Sequence, residues 1–186
     1  MCQESLLGDT QSSAPSNGPA PDGPITYMRL ALDQAQESPP KPTNFRVGAL
    51  LVNETTNDIL ARSYTLELEG NTHAEQNCFA KIAGSHGITW ESIGEVLPEN
   101  TVLYTTMEPC GKRLSGALPC VDRIVKLKGK DGRQAIRKVY LGVKEPEKFV
   151  SENVGRKRLE AAGIEVISVT GLEEDILRVA TAGHEK

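Results

Sequence analysis

Apolar residues at Ile25, Met28, Leu32 and Ala35 recur at helical spacing, which predicts an amphipathic helix over roughly 25–37, stopped before Pro39-Pro40. The period then changes. Val47-Gly48-Ala49-Leu50-Leu51-Val52 is a continuous apolar run and Ile59 to Thr65 is a second strand. Asn53 to Asp58 between them reads as a hairpin loop, so these two strands are antiparallel. A helix over His73–Ala83 follows, with Gly84 as its stop. The long connection 84–100 holds the only Trp, Trp90, and a short helical turn around 90–97. Thr101 to Thr106 reads as the third strand, and Cys120 to about Lys128 as a helix with Val121, Ile124 and Val125 turned inward. Ala135–Val143 is the fourth strand, Val154–Ala162 a helix stopped by Gly163, and Ile164–Val169 the fifth strand. Leu172, Ile176 and Val179 mark a last short helix, leaving His184 in a tail that is either solvent-exposed or folded back over the pocket. A helical crossover between the fourth and fifth strands makes them parallel. The predicted fold is therefore α/β: a three-layer α/β/α sandwich around a five-stranded mixed sheet.

Composition narrows the partners rather than the fold. The chain has 186 residues and a net charge of −4, which suits one domain and sets up no overall field towards nucleic acid or an anionic membrane. Small molecules or proteins are the expected partners, with no nucleic acid and no membrane among them. Residues 1–24 are Ser-, Pro- and Gly-rich and poor in apolar groups, and read as a flexible N-terminal arm. No secretory signal or 18-residue apolar stretch is present, so a soluble, cytoplasmic protein is expected. Four cysteines in a reducing compartment argue for metal or catalysis over disulfides. Cys2 falls in the arm and reads as incidental, Cys78 as a small core residue.

The chemistry is concentrated in Asn71-Thr72-His73-Ala74-Glu75, Glu108-Pro109-Cys110 and Ala117-Leu118-Pro119-Cys120. Zinc takes neutral imidazole and thiolate, and a catalytic site uses three protein ligands and keeps the fourth position for water. His73, Cys110 and Cys120 make three, and Glu75 is placed to carry protons between water and a leaving amine. Each piece has a plainer reading. Thr72-x-x-Glu75 is also a capping box, a single His at a helix start is more often structural, and two cysteines are ordinarily buried thiols. His-x-Glu followed by two Pro-Cys pairs is what singles out the metal. Cys110 falls at the C-terminal edge of the third strand, where such sheets hold ligands. Cys120 opens a helix, whose dipole favours its thiolate.

His73-x-Glu75 with Pro109-Cys110 resembles the zinc nucleobase deaminases, whose cysteines are two residues apart; here nine separate them. The segment from Glu108 to Cys120 resembles the deaminases of riboflavin biosynthesis, most closely the fungal branch. Gly155 to Val166 is similar to the corresponding stretch of the bacterial deaminase-reductase. The parallel ending of the sheet is also that of the riboflavin, guanine and tRNA deaminases, as opposed to the cytidine deaminases of nucleoside salvage. The resemblance covers about 25–170, a zinc deaminase domain, followed by a C-terminal helix and tail over 171–186.

This resemblance implies Zn2+ as cofactor and hydrolytic deamination of 2,5-diamino-6-ribitylamino-4(3H)-pyrimidinone 5′-phosphate, by a stand-alone enzyme without a reductase domain. A homodimer is also implied. Asn44-Phe45-Arg46-Val47-Gly48 matches the family's Asn-Pro-x-Val-Gly, with Phe45 where Pro is usual; Asn44 would bind substrate or merely begin a turn. Lys112 and Arg113 would hold the phosphate or remain solvated. Asn71 would orient substrate or cap the helix, and the backbone N–H groups near Ala74 and Cys110 would meet its polar atoms. Two rivals stand beside this. One is a deaminase of another base, including one in RNA, using the cluster Lys126, Lys128, Lys130, Arg133, Arg137 and Lys138, which has no aromatic among it. The other is a non-enzymatic zinc-stabilised protein with Cys78, His86 or Glu75 as fourth ligand.

Overall fold

The computed structural model describes residues 23–144 and 154–184; residues 1–22 of the expected arm, with Cys2, lie outside them. The elements in order are α1 (Pro24–Glu37), β1 (Gly48–Asn53), β2 (Asp58–Tyr64), α2 (Ala74–His86), a 3₁₀ helix (Trp90–Glu95), β3 (Thr101–Met107), α3 (Cys120–Lys126), β4 (Lys138–Val143), α4 (Gly155–Ala161), β5 (Glu165–Ser168) and α5 (Glu173–Ala180). The strands form one sheet in the order β2-β1-β3-β4-β5. β1 is antiparallel to both β2 and β3, while β3, β4 and β5 run parallel. The α4 crossover thus does what its position between β4 and β5 requires.

Because strand side chains alternate faces, consecutive residues of β1 serve different cores. Ala49 and Leu51 join Cys78 and Phe79 of α2, Val121 and Ile124 of α3 and Leu159 of α4. Leu50 and Val52 join Met28, Ala31 and Leu32 of α1 and Ile176 and Val179 of α5. This explains why β1 reads as an unbroken apolar run: it is covered on both sides. Pro at the start of α1 presets its first turn, and Tyr27, Met28, Ala31, Leu32 and Ala35 form its buried stripe.

Three boundaries differ from the sequence expectation. α2 runs through Gly84, which is exposed, and stops at Gly87, whose φ of 63° lets its N–H reach back to the carbonyls of Ala83 and Gly84. A left-handed residue ends a helix, and Gly84 has no reason to adopt that conformation. α3 ends at Lys126, where Leu127 turns extended. Ala135 and Ile136 are buried but precede β4; the Ala135 N–H donates to the Leu127 carbonyl at 3.0 Å. An apolar run reports burial, not which backbone partner its amides find.

Gly48 shows how closely α1 lies on the sheet. A Cβ added there would fall 1.9 Å from the Ala31 carbonyl oxygen and 2.6 Å from the Ala35 nitrogen. Both belong to helix backbone and have no rotamer to escape into. Gly48→Ala is expected to cost about 3 kcal/mol or more in a urea melt, the upper end of overpacking penalties. A loss under about 1 kcal/mol would mean that α1 is free to lift. Among the described residues no helix is long and apolar enough to cross a membrane.

Candidate metal and catalytic site

Three segments converge at the C-terminal edge of the parallel strands. β3 delivers Glu108-Pro109-Cys110, with the Glu108 N–H held by the Val143 carbonyl at 2.8 Å. α3 opens on Cys120, with Pro119 as its N-cap, and the Val121 N–H returns to the Cys110 carbonyl at 3.2 Å. α2 opens behind His73, its N-cap residue. The loop that feeds His73 turns through Leu66 in the left-handed region, φ 65°. The Leu66 N–H to Thr72 carbonyl bond, 2.9 Å, holds it there.

His73 Nδ1 lies 3.5 Å from Cys110 Sγ and 3.4 Å from Cys120 Sγ. A tetrahedral ion with bonds of about 2.0–2.1 Å to nitrogen and 2.3 Å to sulfur would set those edges at roughly 3.5 Å, so the donors fit one zinc ion. Among the described residues the three alone form a group of donors mutually within 4.8 Å. Cys78 is no fourth ligand: its Sγ rests 3.5 Å from the Ala49 carbonyl, and burial, then the nearby Glu75 charge, push its thiol well up. His86 sits at the far end of α2, turned onto Ser85 and the Ile82 carbonyl. Among the described residues neither these two nor Glu75 joins the group of three donors.

The two candidate thiols stand in different surroundings. Hydrogen bonding from the Cys120 side chain, then from His73, pulls Cys110 down to about 4 against the effect of burial. The Cys120 amide adds an N–H aimed at Cys110 Sγ at 3.4 Å. Cys120 is raised by the same Cys110 contact, then by burial and the Glu75 carboxylate. The sequence expectation gave the helix-start advantage to Cys120. In the fold the first amide of α3 serves the neighbouring sulfur instead.

Glu75 is 3 % exposed and points into the site. Its Oε2 accepts from Cys120 Sγ and its Oε1 from the Thr105 hydroxyl, each at 3.4 Å. Burial raises its pKa, opposed by the His73 charge and aided by that of Cys110. A carboxyl held above its usual range is suited to take and return protons near neutral pH. The capping box of the sequence reading does not form through Thr72: its hydroxyl donates to the Leu68 carbonyl, and the N-cap residue is His73, whose side chain makes no capping bond.

A cavity of about 150 Å³ opens over this cluster, walled by Asn44, Phe45, Asn71, His73, Glu75 and Glu108. Lys112, Arg113, Leu114 and Ser115 of the loop between the cysteines form its rim. Of the residues expected to bind substrate, Asn44 and Asn71 meet each other, Asn44 Nδ2 donating to Asn71 Oδ1 at 2.8 Å. Lys112 is exposed on the rim, while Arg113 is buried. Ala74 is buried at the first turn of α2 and does not wall the cavity.

Sequence reasoning missed several members of this site. Glu108, 7 % exposed, lines the cavity while its Oε1 accepts the Arg156 N–H of α4 at 2.8 Å; its place just before Pro109-Cys110 was the available signal. Thr105, Gln76 and Leu114 carried none. For His184 the exposed reading is corrected and the folded-back alternative is what forms: the tail returns to Asn44 and Phe45, two residues of the cavity wall. Nε2 lies 3.0 Å from the Asn44 carbonyl, and the ring sits 5.0 Å from that of Phe45. The aromatic side chain standing where the related motif has Pro supplies the surface on which this ring rests.

A parallel-ended five-stranded sheet that brings one imidazole, two thiols and a buried carboxyl to its edge is the architecture of the zinc deaminases. The chain belongs to that family: residues 24–133 match the model described as the cytidine and deoxycytidylate deaminase zinc-binding region. Within it the chain is similar to the Rib2 deaminase of Aspergillus oryzae, solved as a C-terminal deletion mutant. The two share 49% identity and a TM-score of 0.79, over 87% of this chain and 92% of that one. The same relative has been solved in complex with DARIPP. The diaminohydroxyphosphoribosylamino-pyrimidine deaminase of Schizosaccharomyces pombe is 37% identical over 158 residues. That alignment takes in 85% of this chain and 35% of the yeast protein, so the chain spans about a third of that relative's length. A deaminase/reductase of Thermotoga maritima is 27% identical with a TM-score of 0.62, over 83% of this chain and 38% of that one.

Proposed function

We propose that the protein removes the 2-amino group of 2,5-diamino-6-ribitylamino-4(3H)-pyrimidinone 5′-phosphate by hydrolysis, releasing ammonia, as a step of riboflavin biosynthesis. The observation that carries this reading is the buried Glu75 carboxyl beside the His73, Cys110 and Cys120 donors at the floor of a cavity sized for one heterocycle. The similarity to the A. oryzae deaminase supplies the substrate class.

His73, Cys110 and Cys120 would hold zinc, which when bound would supply a Lewis acid to make a water nucleophilic near neutral pH. Glu75 takes the proton that water loses as its oxygen bonds to ring carbon 2. Glu75 returns that proton to the adjacent ring nitrogen, then takes the remaining proton of the new hydroxyl as the carbonyl forms and passes it to the amine as the carbon–nitrogen bond breaks, so that water is consumed and ammonia leaves. The Thr105 hydroxyl, which donates to the Met107 carbonyl at 2.9 Å, lies 3.4 Å from Oε1 and packs against it. Asn44 and Asn71, paired at the cavity wall, offer amide groups to the ring.

Lys112 stands at the rim as an exposed cation and is assigned the phosphate. Lys112→Ala is expected to raise KM about 10- to 100-fold, the worth of one charge-assisted hydrogen bond, with kcat little changed. Steady-state assays measure it; an unchanged KM would remove Lys112 from the site. A homodimer and a cytoplasmic location belong to the same reading, and sedimentation velocity tests the dimer. The reading as a whole is tested by ammonia release from the zinc-loaded protein, given the ribitylamino and ribosylamino substrates side by side. Faster turnover of the ribityl form supports it, and turnover of neither overturns it.

A further inference from the structure

The nine residues between Cys110 and Cys120 form a loop that must hold two ligands to one ion while forming the cavity rim. Its base is closed by the Val121 N–H to Cys110 carbonyl bond. Arg158 of α4 donates to the loop's Gly111 carbonyl at 3.0 Å, and a second side chain ties the loop to the far wall. Arg113, 8 % exposed, leaves the loop and reaches the opposite segment: Nη1 donates to Gln76 Oε1 at 2.9 Å, and Nη2 donates to the Asn71 carbonyl. Those partners flank His73 in sequence, on either side of the first ligand. Asn71 in turn accepts from Asn44 through Oδ1.

We infer that Arg113 is a positioning residue, a clasp that joins the inter-cysteine loop to the His73 segment through Gln76 and the Asn71 carbonyl, and not the group that binds the substrate phosphate. Three features point this way. The guanidinium is buried, whereas neighbouring Lys112 is exposed on the rim. Its two bonded nitrogens face protein acceptors across the mouth of the cavity. The fork geometry suits a carbonyl and an amide oxygen held apart, which a Lys ammonium cannot span at once. Through Asn71 the clasp fixes Asn44 at the cavity wall. Gln76 does not wall the cavity, so its effect passes entirely through Arg113.

This assignment rests on the proposed reaction for its kinetic test but not for its metal test. In the zinc-loaded full-length protein, Arg113→Lys is expected to raise KM about 10-fold, by the same factor on phosphorylated substrate and on its dephosphorylated form, since a lost clasp loosens the site for both. Lys112→Ala should penalise the phosphorylated form alone. Gln76→Leu, which leaves the arginine in place, should raise KM about 5-fold and speed zinc release to a chelator by a similar factor. Gln76→Glu keeps an acceptor for the guanidinium and should return both to within about two-fold of wild type. An Arg113→Lys penalty that vanishes on the dephosphorylated substrate would assign the phosphate to Arg113 and overturn the clasp. Wild-type values for Gln76→Leu in both assays would also overturn it. If the wild-type protein turns over neither substrate, the reaction assignment fails, and the zinc-release comparison still decides the clasp.

Discussion

Glu75→Gln is expected to abolish turnover while leaving zinc bound. The substitution keeps the shape of the side chain and an oxygen for the Thr105 hydroxyl, but it removes the atom that must bind and release a proton. Proton transfer by a positioned group contributes about 10²- to 10⁴-fold. Here a single carboxyl serves both the water and the leaving amine, so the loss should sit at the upper end. The variant should fold, because a neutral amide is easier to bury than a carboxylate whose pKa burial already raises. Ammonia release and metal content measured on one preparation separate the possibilities. Retained zinc with kcat down about 10³-fold or more supports the proton-carrier role. Zinc lost along with activity would make Glu75 a ligand, and activity within about 10-fold of wild type would leave another group as the proton carrier.

Cys120→Ser is the second large effect, and it acts on the ion. The thiol is wholly buried, at 0 % exposure, between Cys110, His73 and Glu75. A serine hydroxyl is a poor substitute for thiolate at zinc, and two remaining donors do not hold the ion against a chelator. Zinc content should fall well below one equivalent, activity should vanish, and the melting temperature should drop, since binding to the native state alone stabilises it by mass action. Cys78→Ser is the matched control. That thiol is equally buried but points to the Ala49 carbonyl, so its replacement should lower stability by roughly 1–3 kcal/mol and keep zinc and turnover. Equal zinc loss in both variants would make the effect one of core disruption rather than ligation.

Much of the fold was legible because its signals are local. The stripe of α1, the doubly covered β1 run and the crossover helix before β5 each follow from spacing within one segment. Where reading failed, the missing quantity was a neighbour. Gly84 and Gly87 are alike in sequence, and only the backbone φ at Gly87 ends the helix. Ala135 and Ile136 look like strand, but their apolar character reflects packing beside α3, and β4 begins at Lys138. Geometry within the site behaved the same way: Cys120 opens a helix, yet its amide is aimed at Cys110 Sγ, 3.4 Å away.

The residue types themselves determined the chemistry. One imidazole, two thiols and one carboxyl in the order His73, Glu75, Cys110, Cys120 suffice for the zinc donor set and proton carrier proposed above, whatever the details of the chain between them. Tertiary structure alone decided how that set is held. Arg113 finds Gln76 and Asn71 across 37 and 42 positions, and His184 reaches Asn44 across 140. Such contacts leave no period or motif in the chain, because each depends on where the sheet and its two helical layers carry segments remote in sequence. Ligand identity is a property of the side chain; the direction of a guanidinium is a property of the fold.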